Sequence, residues 1–153
     1  MRRKDREITD INEIKDIISR SKVIRIAFHD GEYPYVLPFN FGFEEKDGRM
    51  CVFVHTAQDG KKNRLIDKNN KVAFELDNCL DYCQGSITSL YESVAGNGIM
   101  TEVTAPEEKL SALSLILKQY GEQTYKPDSS CTSRTRVYRL TVNEISGKAN
   151  RGK

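Results

Sequence analysis

The sequence predicts a mainly β fold: an antiparallel barrel of about six strands with α-helices at its periphery. Three observations carry this. Runs of β-branched and aromatic residues recur along the chain, at 23–28, 50–55 and 135–145 among others. Two Asp-Gly pairs, Asp30-Gly31 and Asp47-Gly48, stand between such runs, where hairpins take residues that tolerate positive φ. Helical periodicity is confined to three segments, too few to alternate with the strands as a parallel α/β sheet requires.

Taken in order, residues 10–20 read as a helix, with Ile11, Ile14, Ile17 and Ile18 at helical spacing. Asp10 can cap its free amides, and Glu13, three residues on, completes a capping box. A strand follows over 23–28, with His29 read as a turn residue. Residues 33–43 return as a second strand. Pro34 and Pro38 lack an amide donor, which places that strand at a sheet edge or in irregular pairing around a ligand. After the second turn come a strand at 50–55, a short helix from Lys61 to about Asn69, and a strand at 71–77. Residues 78–87 read as loop. Residues 91–104 read as a strand bent at Gly96-Asn97-Gly98. Pro106 then suits the first turn of a helix whose stripe is Leu110, Leu113, Ile116 and Leu117. A Ser/Thr-rich loop at 128–133 precedes the last strand, 135–145.

The chain reads as one domain over residues 1–153, with an N-terminal arm at 1–8 and a disordered tail at 146–153. Leu, Ile, Val and Phe make up about a quarter of it, enough to build a core at this length. The formal charge of +2 is too balanced to point to a nucleic-acid or membrane partner. No apolar run approaches the roughly 18 residues of a membrane span, and the polar start of the chain is unlike a signal sequence. A cytoplasmic protein with its four cysteines reduced is the expectation.

The stretch from His55 to Lys62 is the most informative. It sets a strand end, a tight turn and two lysines at a helix N-terminus, where free amides and the positive dipole end favour an anion. Thr56, Lys61 and Lys62 suit a phosphate, although a surface turn with solvated lysines has the same spacing. The pattern is no nucleotide P-loop, since His55 stands where its first glycine belongs and Lys62 where its Ser or Thr belongs. Gly96-x-Gly98 lacks the third glycine of a dinucleotide fingerprint and reads as a strand bend. Cys79-x3-Cys83 has no clustered partners to complete a zinc site, so no metal is expected. His55, beside the anion turn, is the better functional histidine of the two.

These residues also resemble a known family. The N-terminal eight residues, the run Tyr33-Pro34-Tyr35-Val36-Leu37-Pro38-Phe39-Asn40-Phe41-Gly42-Phe43, the stretch from His55 to Lys62, Asn70-Lys71-Val72-Ala73-Phe74-Glu75, Tyr91-Glu92-Ser93-Val94 and Glu144-Ile145-Ser146-Gly147-Lys148 are similar, in that order, to the nitroimidazole-resistance (Nim) proteins. Those belong to the pyridoxamine-phosphate-oxidase-like flavin-binding split barrels. The resemblance implies a six-stranded split barrel and a homodimer with flavin at the subunit interface, FMN being the usual cofactor and FAD the alternative. Carried over by position, Val36, Leu37, Pro38, Phe39 and Asn40 would lie along the flavin ring. Thr56, Ala57, Lys61 and Lys62 would surround the phosphate, and Ser93 would offer a polar contact. His55 matches the histidine at the flavin's reactive side. The activity implied is an FMN-dependent oxidoreductase acting on a small molecule, a nitroaromatic such as a 5-nitroimidazole. A non-catalytic flavin binder or redox sensor, and a pyridoxamine-phosphate oxidase proper, are the competing readings.

Overall fold

The β-branched runs form strands in the computed structural model, which describes residues 3–85 and 87–152. Met1, Arg2 and Lys153, at the ends of the expected arm and tail, and Ser86, in the expected 78–87 loop, lie outside the described residues. A 3-10 turn at Lys4–Arg6 leads into β1 (Glu7–Ile8), followed by α1 (Ile11–Arg20), β2 (Ile24–Asp30), β3 (Tyr33–Phe39), β4 (Gly42–Lys46), β5 (Arg49–Ala57) and α2 (Lys61–Lys68). Then come β6 (Lys71–Tyr82), β7 (Ser89–Val103), α3 (Pro106–Gln119), α4 (Ser129–Arg134) and β8 (Thr135–Asn150).

All strand pairs are antiparallel, in the order β3-β2-β6-β7-β8-β5-β4, with β1 paired to β8. The edge strands β3 and β4 are joined by only Asn40 and Phe41. Three peptide steps span at most about 11 Å, so the sheet must curl until its two edges face each other. The result is a barrel open along one seam, at which Phe41 is fully buried. Tyr120, at the end of α3, stitches that seam: its hydroxyl accepts from the Phe41 amide at 3.2 Å and donates to the Lys22 carbonyl at 2.5 Å.

Eight strands replace the expected six because the 33–43 run divides and because the N-terminal arm is itself a strand. The division falls at Asn40-Phe41, beyond both prolines, where the chain leaves one edge for the other. β3 is an edge strand, as Pro34 and Pro38 require, and the chain then crosses to the other edge. His29 belongs to β2, opposite Pro34, and the turn is Gly31-Glu32.

Four further expectations are corrected. Residues 78–82 are strand, because β6 and β7 go on pairing past a bulge at Leu80 as far as Tyr82↔Ser89. This ladder is largely solvated, so it leaves no apolar alternation to read. The Ser/Thr segment holds a short helix, α4, whose first amides, Ser130 and Cys131, bond to the Asp128 carboxylate. Residues 146–150 extend β8 where a disordered tail is expected, and Arg151 beyond them donates to the buried Glu92 at 2.7 Å and pairs with Glu13 at 2.6 Å. Arg20 holds the same Glu92, also at 2.7 Å. Glu13 is therefore engaged with Arg151; at the start of α1 the cap is Asp10, which accepts from the Asn12 amide.

The barrel interior is filled by Ile24, Ile26, Phe28, Val52, Val54, Phe74, Leu76 and Leu140, with Ile14, Ile17 and Ile18 of α1 packed against them. A second cluster sets Cys51, Phe53 and Val137 against Ala112, Leu113 and Ile116 of α3. β5 is thus covered on both faces, which explains its unbroken apolar run from Met50 to Val54. Gly96 and Gly98 mark the bend of β7. A Cβ on either would come within 2.3 Å of a β8 carbonyl, and the β7/β8 register shifts between Asn97 and Gly98.

Candidate functional site

The site grows from the turn between β5 and α2. Gly60 opens α2 and has no side chain to cap it, so the first amides of the helix are left for another acceptor. The turn is held from beneath. Asn63, 2% exposed, donates through Nδ2 to the carbonyls of Ala57 and Gln58, both at 2.9 Å. Its Oδ1 lies 2.9 Å from the Thr56 hydroxyl, which is also 2.9 Å from the Ala57 carbonyl. Thr56 is buried and its hydroxyl is spent on this lock. Its part is to shape the turn.

The two lysines have different surroundings. Lys61 Nζ is 2.5 Å from Asp30 Oδ2 and 4.5 Å from the centre of the Tyr35 ring, so it ties α2 to the β2–β3 hairpin. Among the described residues Lys62 has no carboxylate partner. Its charge is felt by His55, whose imidazole is held below its ordinary pKa by burial first and by Lys62 second. His55 is open to solvent along one side, yet the protein packed around its ring is enough to make desolvation the leading cause.

His55 projects from the face of β5 that carries Cys51 and Phe53, away from the barrel interior. There it lines a cavity of about 350 Å³ with Leu117, Tyr125 and Cys131. The α2 turn thus brings together His55, Ala57, Lys61 and Lys62, with Asp30 and Tyr35 as neighbours on the hairpin side.

The β3 residues divide by face. Val36 and Pro38 point outward on the edge strand, Val36 being 52% exposed, and Asn40 is exposed at the crossing. Leu37 is half-buried. Phe39 belongs to the core, 7% exposed and edge-on to Phe28 with ring centres 6.1 Å apart. Any contact from Phe39 to a ligand is therefore through its backbone. Ser93 is not brought to the turn. It pairs with Asp77, six residues along β6 from Lys71 at the α2 end, or about 20 Å at strand spacing. Its hydroxyl lies 3.4 Å from the Lys148 carbonyl.

Sequence reasoning missed Asn63, whose only signal is that it shares the inward face of α2 with Ile66. It also missed Asp30 as the partner of Lys61, and Tyr125 and Cys131, for which the sequence carries no signal. Cys79 and Cys83 lie along the β6 ladder and just beyond it, and among the described residues no group of three His, Cys, Asp or Glu is placed to hold a metal.

Comparisons with known proteins agree with this architecture. None of the curated proteins compared matches the sequence. A crystal structure of a candidate 5-nitroimidazole antibiotic resistance protein from Bacteroides thetaiotaomicron is 26% identical, with a TM-score of 0.81 over 93% of this chain and 85% of that one. An FAD-binding protein from Mesorhizobium loti shares the fold at 19% identity, with a TM-score of 0.69 over 95% of this chain and 97% of that one. An FAD- and heme-binding protein from Mycobacterium smegmatis does so at 14% identity, with a TM-score of 0.79 over 96% of this chain and 74% of that one. Residues 10–149 match the family model described as pyridoxamine 5'-phosphate oxidase, nearly the whole length, and the chain belongs to that family.

Proposed function

We propose that this protein is a homodimeric flavin-binding oxidoreductase, with FMN at the α2 turn and a small nitroaromatic as electron acceptor. The observation that carries the reading is the uncapped N-terminus of α2 with Lys61 and Lys62 beside it. The donor set fits a phosphate: free helix amides point outward, and Lys62 has no anionic partner of its own among the described residues. The resemblance to the Nim proteins and the flavin-binding relatives support the same class of cofactor. When bound, the flavin supplies the redox chemistry, and the protein supplies position and electrostatics.

Within this reading, Lys62 and the α2 amides grip the phosphate, and Lys61 reaches it while held by Asp30. The outward edge of β3 from Val36 to Asn40 offers backbone groups to the ring; with Pro34 and Pro38 in place, that edge is short of donors and unsuited to a further strand. His55, neutral near pH 7 because its pKa is lowered, orients the acceptor through its ring N–H. The filled barrel supports the dimer. With its interior occupied by side chains, a flavin must lie outside, where a second subunit can complete the enclosure.

The test compares FMN with riboflavin, at fixed ionic strength. Replacing both lysines should weaken FMN by about one to two decades, since a charge-assisted hydrogen bond contributes roughly 1.5–3 kcal/mol, and leave riboflavin within a few-fold. Equal losses for both would mean that the turn had unfolded, and no loss would put the phosphate elsewhere. The visible spectrum reports bound flavin, and mass spectrometry of the released cofactor distinguishes FMN from FAD. With the flavin reduced beforehand, its oxidation by a 5-nitroimidazole no faster than that of reduced free FMN would overturn the enzyme reading, and sedimentation tests the dimer.

A further inference from the structure

Where the cover of α3 ends, the outer face of β5 and β8 carries a set of basic side chains without partners. Side chains alternate across a strand, so Arg49 and Cys51 of β5 share that face with Arg139 and Thr141 of β8 and with Lys46 of β4. Together they line an open hollow of about 480 Å³. Elsewhere in the fold Arg20, Arg25, Arg136 and Arg151 each hold two carboxylates. Among the described residues the side chains of Lys46, Arg49 and Arg139 have neither an ion pair nor a hydrogen bond. Arg139 is half-buried, and a cation drawn out of water without a partner is costly.

The charges converge over Cys51. Its thiol is pushed up by burial first; Arg139 and Lys46 act against that shift, and Glu44 acts with it. The acidic groups nearby are few. Asp47, at the β4–β5 turn, lines the hollow itself. Glu44 and Glu108 face Lys46 and Arg139 from the α3 side across a smaller cavity of about 60 Å³, and neither pairs with them. Within the hollow, three cations therefore meet one carboxylate.

We infer that this hollow binds a phosphate group, free or as the monoester of a small molecule. A phosphate monoester carries close to two negative charges at neutral pH and offers three acceptor oxygens. The excess of positive charge here is of the same size, and two guanidinium forks match those oxygens. The volume leaves room for an organic body behind the phosphate. An extended polyanion suits the place less, because its further charges would meet Asp47, Glu44 and Glu108. Arg49 stands six residues along β5 from His55, or about 20 Å at strand spacing. The site is thus distinct from the α2 turn and does not depend on the flavin reading.

The test follows the Nε–Hε NMR signals of the arginines in the as-purified protein, assigned from the Arg49→Gln and Arg139→Gln spectra. Inorganic phosphate and phenyl phosphate are the probes, with chloride at the same ionic strength as the control. The Arg49 and Arg139 signals should move together and saturate, while those of Arg25 and Arg136, held by carboxylates, stay in place. Arg139→Gln should weaken phosphate at the Arg49 signal by about tenfold, the value of one charge-assisted contact. Lys46→Glu, exposed at the hairpin, should weaken it at least as much and keeps the test open if the half-buried Arg139 variant fails to fold.

Tighter binding of phenyl phosphate would support a phosphorylated small molecule as the ligand, and equal binding would support free phosphate. No saturation up to about 50 mM phosphate would overturn the proposal, and so would an equal response to chloride. Saturable shifts confined to the amides of the α2 turn would overturn it too, while supporting a phosphate at that turn. The two sites can therefore fail separately.

Discussion

Asn63→Ala tests whether a buried amide shapes the turn between β5 and α2. The substitution removes two donated bonds, to the carbonyls of Ala57 and Gln58, and the acceptor of the Thr56 hydroxyl, each at 2.9 Å. A buried bond nets about 1 kcal/mol, and carbonyls left without a donor add to the loss. The expected destabilisation is about 3 kcal/mol. For a chain of 153 residues that lowers Tm by roughly 6–12 °C, readable by thermal circular dichroism. Thr56→Val keeps the shape of the side chain and removes one bond, for about 1 kcal/mol. Because the two side chains share one network, the double variant should cost less than the sum of the singles, by about 1 kcal/mol. FMN affinity should fall with Asn63→Ala even though no lysine is touched, because the helix amides lose their alignment. An Asn63→Ala protein within about 1 kcal/mol of the parent, or strict additivity with Thr56→Val, would refute the lock.

Four further outcomes follow from particular contacts. Asp30→Asn removes the carboxylate held by Lys61 and should tighten FMN by about two- to five-fold in a fluorescence titration, the value of a partly exposed ion pair, with riboflavin unchanged. The folded-state pKa of His55 is depressed, so the unfolded chain binds its proton more readily. Stability is then fully present above the unfolded pKa near 6.5 and is lost as pH falls toward the lower folded value. His55→Gln should flatten this slope in denaturant titrations at pH 5 to 7, and Lys62→Met should raise the His55 midpoint measured by NMR, since it removes the second cause. Gly42→Ala places a methyl 2.4 Å from the backbone of Leu115 and should cost about 2 kcal/mol or more by lifting α3 off β4, seen as a lower urea midpoint.

Much of this molecule was legible in order along the chain. The Asp10 cap and isoleucine stripe define α1, the prolines put β3 at an edge, and Gly60-Lys61-Lys62 mark the uncapped start of α2. Such signals are local, because a cap, a missing amide or a helix terminus acts within a few residues of itself. The remainder depended on which distant segments meet. Asn63 reads as one more polar residue of a charged helix until burial sets it beneath Ala57 and Gln58. Residues 78–82 and 146–150 carry no apolar alternation and are strand only because a neighbouring ladder continues beside them. Lys61 meets Asp30, and Tyr125 meets Cys131 across the mouth of a cavity, through contacts that no spacing encodes. The sequence by itself determined α1, α2 and α3, the central strands, the edge strand and the place of the turn before α2. Closure of the barrel through Asn40 and Phe41 decided which side chains share a site, because burial and hydrogen-bond partners belong to the assembled core.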